Sequence, residues 1–481
     1  MSFRVETDFL GPVEVPRDAY YGIHTARAAA NFPVSGIKTH TALIRALAMV
    51  KQAAATANVR AGILDPKKGQ AIARAAEEVS GGLLADQFIV DALQGGAGTS
   101  TNMNMNEVLA NRAIEILGGE KGEYSVVDPL MHVNLSQSTN DVYPTALRIA
   151  ATGMVLRLSD SMAGLQAALQ EKESEFAGVL KLGRTEMQDA VPITLGQEFG
   201  AYAEAVARDR WRLYKAEERL RQVNLGGTAV GTGLNADRKY IFTVIEVLRD
   251  ITGHGLSRAE NTVDLTQNAD VFVEVSGLLK AAAVNLAKIA GDLRLLSSGP
   301  LGGLAEIRLP QCQPGSSIMP GKVNPVIPEM VAQAAFQVMG NDQVAAMAAS
   351  GGQLELNAFM PLIAHNLLQS LDILANAADI FAEKCIRGIT ADIGRCRGWL
   401  EKSHGFITAL VPYLGYQTAT GLVEKSLAEG KKLRELVVDT GLLSGEDLER
   451  ILSPGQLTRP GVAGAGNFKK AGDFNGCWGA E

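Results

Sequence analysis

Apolar residues recur three and four positions apart along several long intervals of this chain. Within 147–169 they fall at Leu147, Ile149, Ala150, Met154, Leu156, Leu158, Met162, Leu165 and Leu169, the spacing of a buried helical face. Segments 262–296, 329–349 and 361–385 repeat the pattern. No proline interrupts the intervals between Pro144 and Pro192, between Pro192 and Pro300, or between Pro361 and Pro412. All three intervals are rich in the helix formers Ala, Leu, Arg, Lys and Glu. A helix of about 30 residues is roughly 45 Å long. Several such helices carry more apolar surface than one small bundle can bury. The pattern therefore predicts a long central bundle whose outward apolar faces are covered by identical subunits. Alternating strand patterns are sparse, and the expected fold class is mainly α.

A chain of 481 residues exceeds one ordinary core and implies two or three domains. The expected division is a mostly helical segment 1–141, a long-helix bundle over 142–395 interrupted by glycine-rich loops at 224–233 and 299–321, and a small tail domain 396–481. In that tail Gly461, Gly464, Gly466 and Gly472 lie close together. With 47% hydrophobic and 20% charged residues the composition is globular, and a formal net charge of −7 argues against nucleic acid as the main partner. Cys312, Cys385, Cys396 and Cys477 form no CxxC pair, and there is no HExxH, so reduced thiols without a structural metal are expected. The opening residues carry Glu6 and Asp8 and lack an apolar run, and no stretch approaches the roughly 20 apolar residues of a membrane span. A cytoplasmic protein with no membrane partner is the expectation.

Segment 315–325 holds the chain's densest set of chemically capable side chains: Ser316, Ser317, Lys322 and Asn324 among Gly315, Pro320, Gly321 and Pro325. The prolines break helix and strand, and the glycines permit unusual backbone angles. It reads as a mobile loop that brings a base, a cation and an amide to one place. Three further polar clusters stand apart at 94–104, 136–141 and 183–192, most of them dense in the short Ser, Thr and Asn side chains that hydrogen-bond carboxylates. Singly, such clusters cap helices more often than they bind ligands, and Ser138 to Asp141 stands just ahead of a helical run. The glycines at 95, 96 and 98 match neither a dinucleotide fingerprint nor a phosphate loop. Four clusters in one helical chain exceed what caps require.

Segments 18–28, 95–106, 138–144, 183–192 and 315–325 together resemble the aspartase/fumarase superfamily, nearly over the full length and in that family's order. The wording Ala19-Tyr20-Tyr21-Gly22-Ile23-His24-Thr25 favours the aspartase branch over class II fumarase. The resemblance implies a mainly helical three-domain fold and a homotetramer with each active site shared between three subunits. It implies elimination of ammonia from L-aspartate to give fumarate, with class II fumarase or a lyase of a substituted aspartate as alternatives, and a catalytically silent structural or binding relative as a further one. Carried over by motif position, Ser316 is the general base that takes the Cβ proton. Thr99, Ser138, Thr139 and Ser317 hold the β-carboxylate; Thr185, Lys322 and Asn324 hold the α-carboxylate; Asn140 contacts the amino group. Arg27 is a further carboxylate partner or an ion-pair residue. No cofactor is required, and the resemblance allows activation by a divalent cation, for which the sequence shows no ligand cluster.

Those residue types suit the chemistry. Removing a proton beside a carboxylate places a second negative charge on that group as an aci-carboxylate, so the site must stabilise charge that develops in the transition state. Serine is a poor base unless cations or N–H groups stabilise its alkoxide. One position departs from the family pattern: Glu186 follows Thr185 where fumarases and some aspartases carry His, and Glu329 stands where that His has its usual partner. Two carboxylates there would share a proton or point apart. An extra carboxylate attracts an ammonium substrate, whereas hydroxide departure needs a general acid, so Glu186 leans towards ammonia elimination unless it faces away.

Overall fold

The computed structural model describes residues 2–441 and 443–465; Gly466, Gly472 and Cys477 lie outside them. A hairpin of β1 (Phe3–Asp8) and β2 (Gly11–Pro16) opens the chain. There follow α1 (Ile23–Asn31), α2 (Thr41–Ala61), α3 (Pro66–Ser80), α4 (Thr99–Ile116) and the long α5 (Thr139–Glu175). A second hairpin, β3 (Leu180–Thr185) and β4 (Gln188–Thr194), precedes α6 (Leu195–Leu220), α7 (Arg238–Thr252), α8 (Thr262–Gln267) and α9 (Asp270–Leu296). Then come α10 (Val326–Ser350), α11 (Met360–Lys384), α12 (Ile393–Lys402) and several shorter helices. The chain is mainly α, as expected, and its described sheets have two strands each.

The apolar run at 147–169 lies in α5, and those at 329–349 and 361–385 in α10 and α11. The run at 262–296 is not one helix. Asn268 turns extended after α8, and its side-chain oxygen accepts from Asp270 N (3.2 Å), so it starts α9 afresh. Helix α5 also begins earlier than proline placement suggests, with Pro144 inside it.

Two compact units divide the chain. The first comprises 1–162, 209–285 and 333–377, the second 163–208, 286–332 and 378–481; the divisions fall within α5, α6, α9, α10 and α11. In the first, the alanine-rich α2 packs on α3 and α7, and its Leu43, Leu47, Val50 and Ala54 are buried. In the second, Leu410, Leu433, Leu436, Val437, Leu448 and Ile451 form a separate small core.

The segment around Gly22 is a clasp on a buried acid. Glu107, within α4, accepts from the backbone N–H groups of Gly22 (2.8 Å), His24 (2.8 Å) and Thr25 (3.1 Å) and from Thr25 Oγ1 (2.6 Å). Glu6 accepts from Ile23 N (2.8 Å). The free N–H groups at the start of α1 thus find carboxylate partners, which the helix dipole also favours. Burial raises the Glu107 carboxyl above its ordinary range, and the four donors oppose that shift. A Cβ on Gly22 would sit 2.5 Å from Tyr124 Oη, 2.7 Å from Glu6 Oε2 and 2.9 Å from Glu107 Cδ. Gly22→Ala is therefore expected to destabilise the fold by about 1–3 kcal/mol, read as an earlier thermal or urea transition; an unchanged transition would show that Tyr124 and Glu6 move aside freely.

Candidate active site

The predicted site residues sit on separate segments: Thr99 and Ser138 to Asn140 in the first unit, where Asn102 of α4 reaches Thr139, and Thr185, Glu186 and the 315–325 loop in the second. In the first unit, Gln94 fixes the approach to α4: its Oε1 accepts from Thr101 N (3.0 Å) and Thr101 Oγ1 (2.9 Å), while its Nε2 donates to Asp91 O (2.7 Å). Gly98 has φ +96°, and a Cβ there would lie 2.3 Å from the Tyr143 ring, so only glycine fits. Thr99 then opens α4 with its side chain exposed.

Ser138 to Asp141 form a reciprocal cap on α5. Asp141 Oδ1 accepts from Ser138 N (2.9 Å), and Ser138 Oγ accepts from Asn140 N (3.3 Å). The other Asp141 oxygen accepts from Gly226 N (2.9 Å) and Thr228 N (3.0 Å), which pins the glycine-rich loop against the cap. Pro144 has no N–H to offer the carbonyl of Asn140, and Asn224 Nδ2 donates to that oxygen instead (3.0 Å). Asn140 Nδ2 in turn donates to Ala229 O (2.7 Å). Thr139 Oγ1 accepts from Asn102 Nδ2 (3.1 Å), leaving its own proton to donate elsewhere. Asp141 is fully buried, and burial pushes its carboxyl up to about 6 against the pull of its three N–H donors and of Lys51.

In the second unit, Thr185 pairs with Gln188 at the end of the β3–β4 hairpin, and Glu186 (φ +54°) and Met187 (φ +65°) form its two-residue turn. Thr185 and Glu186 are exposed. Buried charges anchor β3: Lys181 Nζ meets Glu198 (2.7 Å) and Glu306 (3.2 Å), and Arg184 meets Glu306 (2.9 Å). The 315–325 loop is closed at its base, where Gly315 N donates to Lys322 O (2.7 Å) and Asn324 Nδ2 donates to Gly315 O (2.8 Å). A Cβ on Gly315 would lie 2.8 Å from Asn324 N and 2.9 Å from Lys322 O. Within the loop, Ser316 Oγ accepts from the N–H groups of Met319 (2.8 Å) and Ile318 (3.2 Å). Ser317 and Lys322 are exposed. Glu329 faces Arg294 at 3.8 Å, and no hydrogen bond joins it to Glu186 among the described residues.

Arg27 is engaged within the first unit. Its Nε and Nη2 donate to the two Asp8 oxygens (2.9 and 2.8 Å), and Nη2 also donates to Gly11 O (2.7 Å). The guanidinium holds the Asp8 carboxyl below its usual range. Sequence reasoning missed Asp141, Asn102 and Asn224 as supports. Asn224 opens the glycine-rich stretch and Asp141 closes the polar one, but their pairing is long-range. Among the described residues no group of three or more His, Cys, Asp or Glu side chains could hold a metal ion. A cavity of about 610 Å³ in the second unit, lined in part by Leu180, Phe406, Arg434 and Leu452, contains none of the predicted residues.

Family models described as "Lyase" and "Fumarase C C-terminus" match residues 11–340 and 406–459. An aspartate ammonia-lyase of Bacillus sp is 52% identical over 96% of this chain and 98% of its own, and that of Bacillus subtilis (strain 168) 50% identical over 96% and 97%. Among solved structures, a fumarate lyase:delta crystallin from Brucella melitensis bound to cobalt superimposes with a TM-score of 0.93 at 50% identity, covering 95% of this chain and 100% of that one. A class II fumarase from Schistosoma mansoni reaches 0.91 at 36% identity with the same coverage.

The raised Asp141 carboxyl carries a pH signature. Its folded value lies above the ordinary 3.8, so the folded state holds the proton more tightly, and that contribution to stability is present below about 4 and lost as pH rises through about 6. Asp141→Asn cannot titrate there. The stability gap between wild type and variant should narrow by up to about 3 kcal/mol between acid and neutral pH, measured by urea unfolding across that range; a constant gap would place Asp141 in an ordinary carboxylate environment.

Proposed function

The chain belongs to the aspartase/fumarase family of lyases, and on that premise we propose how its polar segments carry out the reaction. The protein is a carbon–nitrogen lyase that converts L-aspartate reversibly to fumarate and ammonium. Ser316 is the general base. The observation that carries this assignment is the pair of backbone N–H groups donating to its Oγ, since they stabilise negative charge on that oxygen before any substrate arrives. Ser316 takes the Cβ proton, the electrons pass to the β-carboxylate as an aci-carboxylate, and their return forms the double bond as the amine leaves from Cα. Ammonia is an adequate leaving group, so no general acid is demanded at Glu186.

Thr99, Ser138, Thr139 and Ser317 hold the β-carboxylate in this reading. Ser138 and Thr139 suit the task because each hydroxyl already accepts a hydrogen bond and keeps its proton for the substrate. Thr185, Lys322 and Asn324 hold the α-carboxylate, and Asn140 meets the amine. Glu186, at an exposed turn, adds charge attraction for the ammonium. Arg27 is the weakest candidate, because Asp8 and Gly11 already occupy it. The elimination as written needs no organic cofactor.

We infer a homotetramer with sites shared between three subunits, each contributing different segments, acting on a small dicarboxylate in the cytoplasm. Supporting the assembly, Trp211 and Tyr214 in α6, Val284 in α9, and Phe336 and Met347 in α10 are 65%, 62%, 50%, 62% and 65% exposed on the single chain. Large apolar side chains in such number along long helices call for a covering partner. No described helix is long and apolar enough to cross a membrane.

Ultraviolet absorbance of fumarate's conjugated double bond tests the reading. L-Aspartate should give a rising signal, L-malate none, and Ser316→Ala should lower kcat at least about 100-fold; a rise with malate would transfer the protein to the hydratase branch. Glu186→Gln should raise KM for L-aspartate about fivefold with kcat little changed, and unaltered turnover and affinity would remove Glu186 from the site.

A further inference from the structure

Lys51, in the middle of α2, is 0% exposed. Its Nζ donates to Asn134 Oδ1 (3.0 Å) and Gln137 Oε1 (2.9 Å), two carboxamides in the stretch that leads directly into Ser138. No carboxylate lies within ion-pair distance of it among the described residues, a rare state for a buried lysine. The acid that acts on it is Asp141 on α5, whose oxygens already serve three backbone N–H groups. The other titratable group facing this region is Tyr240 on α7, whose buried phenol senses Asp141. From α4 come only neutral groups: Asn102 and Asn106 both donate to Asn134 Oδ1 (3.2 and 3.1 Å). Asn102 Nδ2 also reaches Thr139 Oγ1 (3.1 Å), so three contacts separate the ammonium from a hydroxyl of the carboxylate-binding cap.

We propose that Lys51 is a positioning residue that supplies the counter-charge for the substrate's β-carboxylate from behind the Ser138–Thr139 cap, and that dicarboxylate binding draws a proton onto it. The inference rests on the reading of Ser138 and Thr139 as the β-carboxylate site. In the free protein the ammonium is buried with neutral partners, a costly arrangement. Burial accordingly lowers it to about 7, with Asp141 opposing the shift. A carboxylate seated on the cap is the missing counter-ion, and linkage then requires that whatever favours the charged lysine is itself favoured by it.

Titration calorimetry with succinate, an unreactive dicarboxylate, in two buffers of different ionisation enthalpy counts the protons taken up per site. At about pH 8 the native enzyme should take up about half a proton or more per site. Uptake should vanish in Lys51→Gln, which keeps a hydrogen-bond donor, and in Lys51→Met, which keeps neither donor nor charge. Succinate affinity at about pH 7 should fall about tenfold in both. A purely structural lysine would leave the uptake unmoved, and equal uptake in the variants, or none in the native enzyme, overturns the proposal. Should neither variant fold, the native enzyme decides: its succinate affinity must fall as pH rises through about 7, and a flat profile overturns the proposal. Ser138→Ala separates the two readings. If it leaves succinate affinity intact, the cap is not the carboxylate site and both fail; if it weakens binding while the Lys51 variants keep their uptake, only the lysine proposal falls.

Discussion

The carboxylate of Asp141 binds backbone N–H groups from two stretches far apart in sequence, Ser138 on one side and Gly226 with Thr228 on the other. Much else in the first unit depends on that junction. It closes the cap on α5, which fixes the directions of Ser138 and Thr139. It also brings the glycine-rich loop close enough for Asn224 to satisfy the carbonyl that Pro144 leaves open, and for Ala229 to accept from Asn140. A fully buried carboxylate is a poor choice for stability alone, because desolvation of the charged form outweighs what three N–H donors return. What it secures is geometry: one rigid acceptor binds both segments and leaves the cap hydroxyls free to face a ligand.

The α5 cap and the 315–325 loop share a way of preparing hydroxyls. Ser138, Thr139 and Ser316 each have an oxygen that accepts a hydrogen bond from the protein, but the consequences differ with the number and kind of donors. One donor on Ser138 or Thr139 orients the hydroxyl and leaves its proton available, which makes a good neutral ligand for a carboxylate. Two backbone donors on Ser316 do more in the proposed mechanism, where they face an oxygen that carries negative charge as the base. The closed base of the loop, held by Gly315, Lys322 and Asn324, keeps those donors in place at little cost, since the crowding at Gly315 excludes any side chain.

Much of this was legible in the sequence. The spacing of Leu, Ile and Met located α5, α10 and α11, and the mixture of hydroxyls, cation and glycines in 315–325 marked the loop. Two local rules misled. Proline was read as a helix boundary, yet Pro144 lies within α5 because a side chain from a distant loop compensates its missing N–H. A continuous apolar period was read through 262–296, yet Asn268 outcompetes the backbone and breaks it. The polar run 138–141 shows that capping and ligand binding are not rival readings: Ser138 caps α5, and the same bond directs its proton outward. The Tyr20–Thr25 wording that separated the family branches sits largely on a structural clasp around Glu107, which no local pattern reveals. Asp141, Asn224 and Lys51 act across long sequence separations, and composition or period carries no signal for such pairings.

Charge balance explains why so many neutral donors are used where cations would bind more tightly. Substrate and product are both dicarboxylates. An arginine clamp on each carboxylate would also hold substrate and product tightly, and the part of that binding shared by ground state and transition state lowers KM without raising kcat. Arg27 has Nε and Nη2 committed to Asp8 and Gly11, and Arg184, the guanidinium of the 183–192 segment, pairs with Glu306. In the proposed reading hydroxyl and amide donors hold the ground-state carboxylates less tightly, and their interaction with the β-carboxylate still strengthens as its second negative charge develops. A single ammonium set back behind the cap fits the same logic. In the proposal for Lys51 it adds field without a direct contact, favours the more highly charged species most, and leaves the product dianion free to depart.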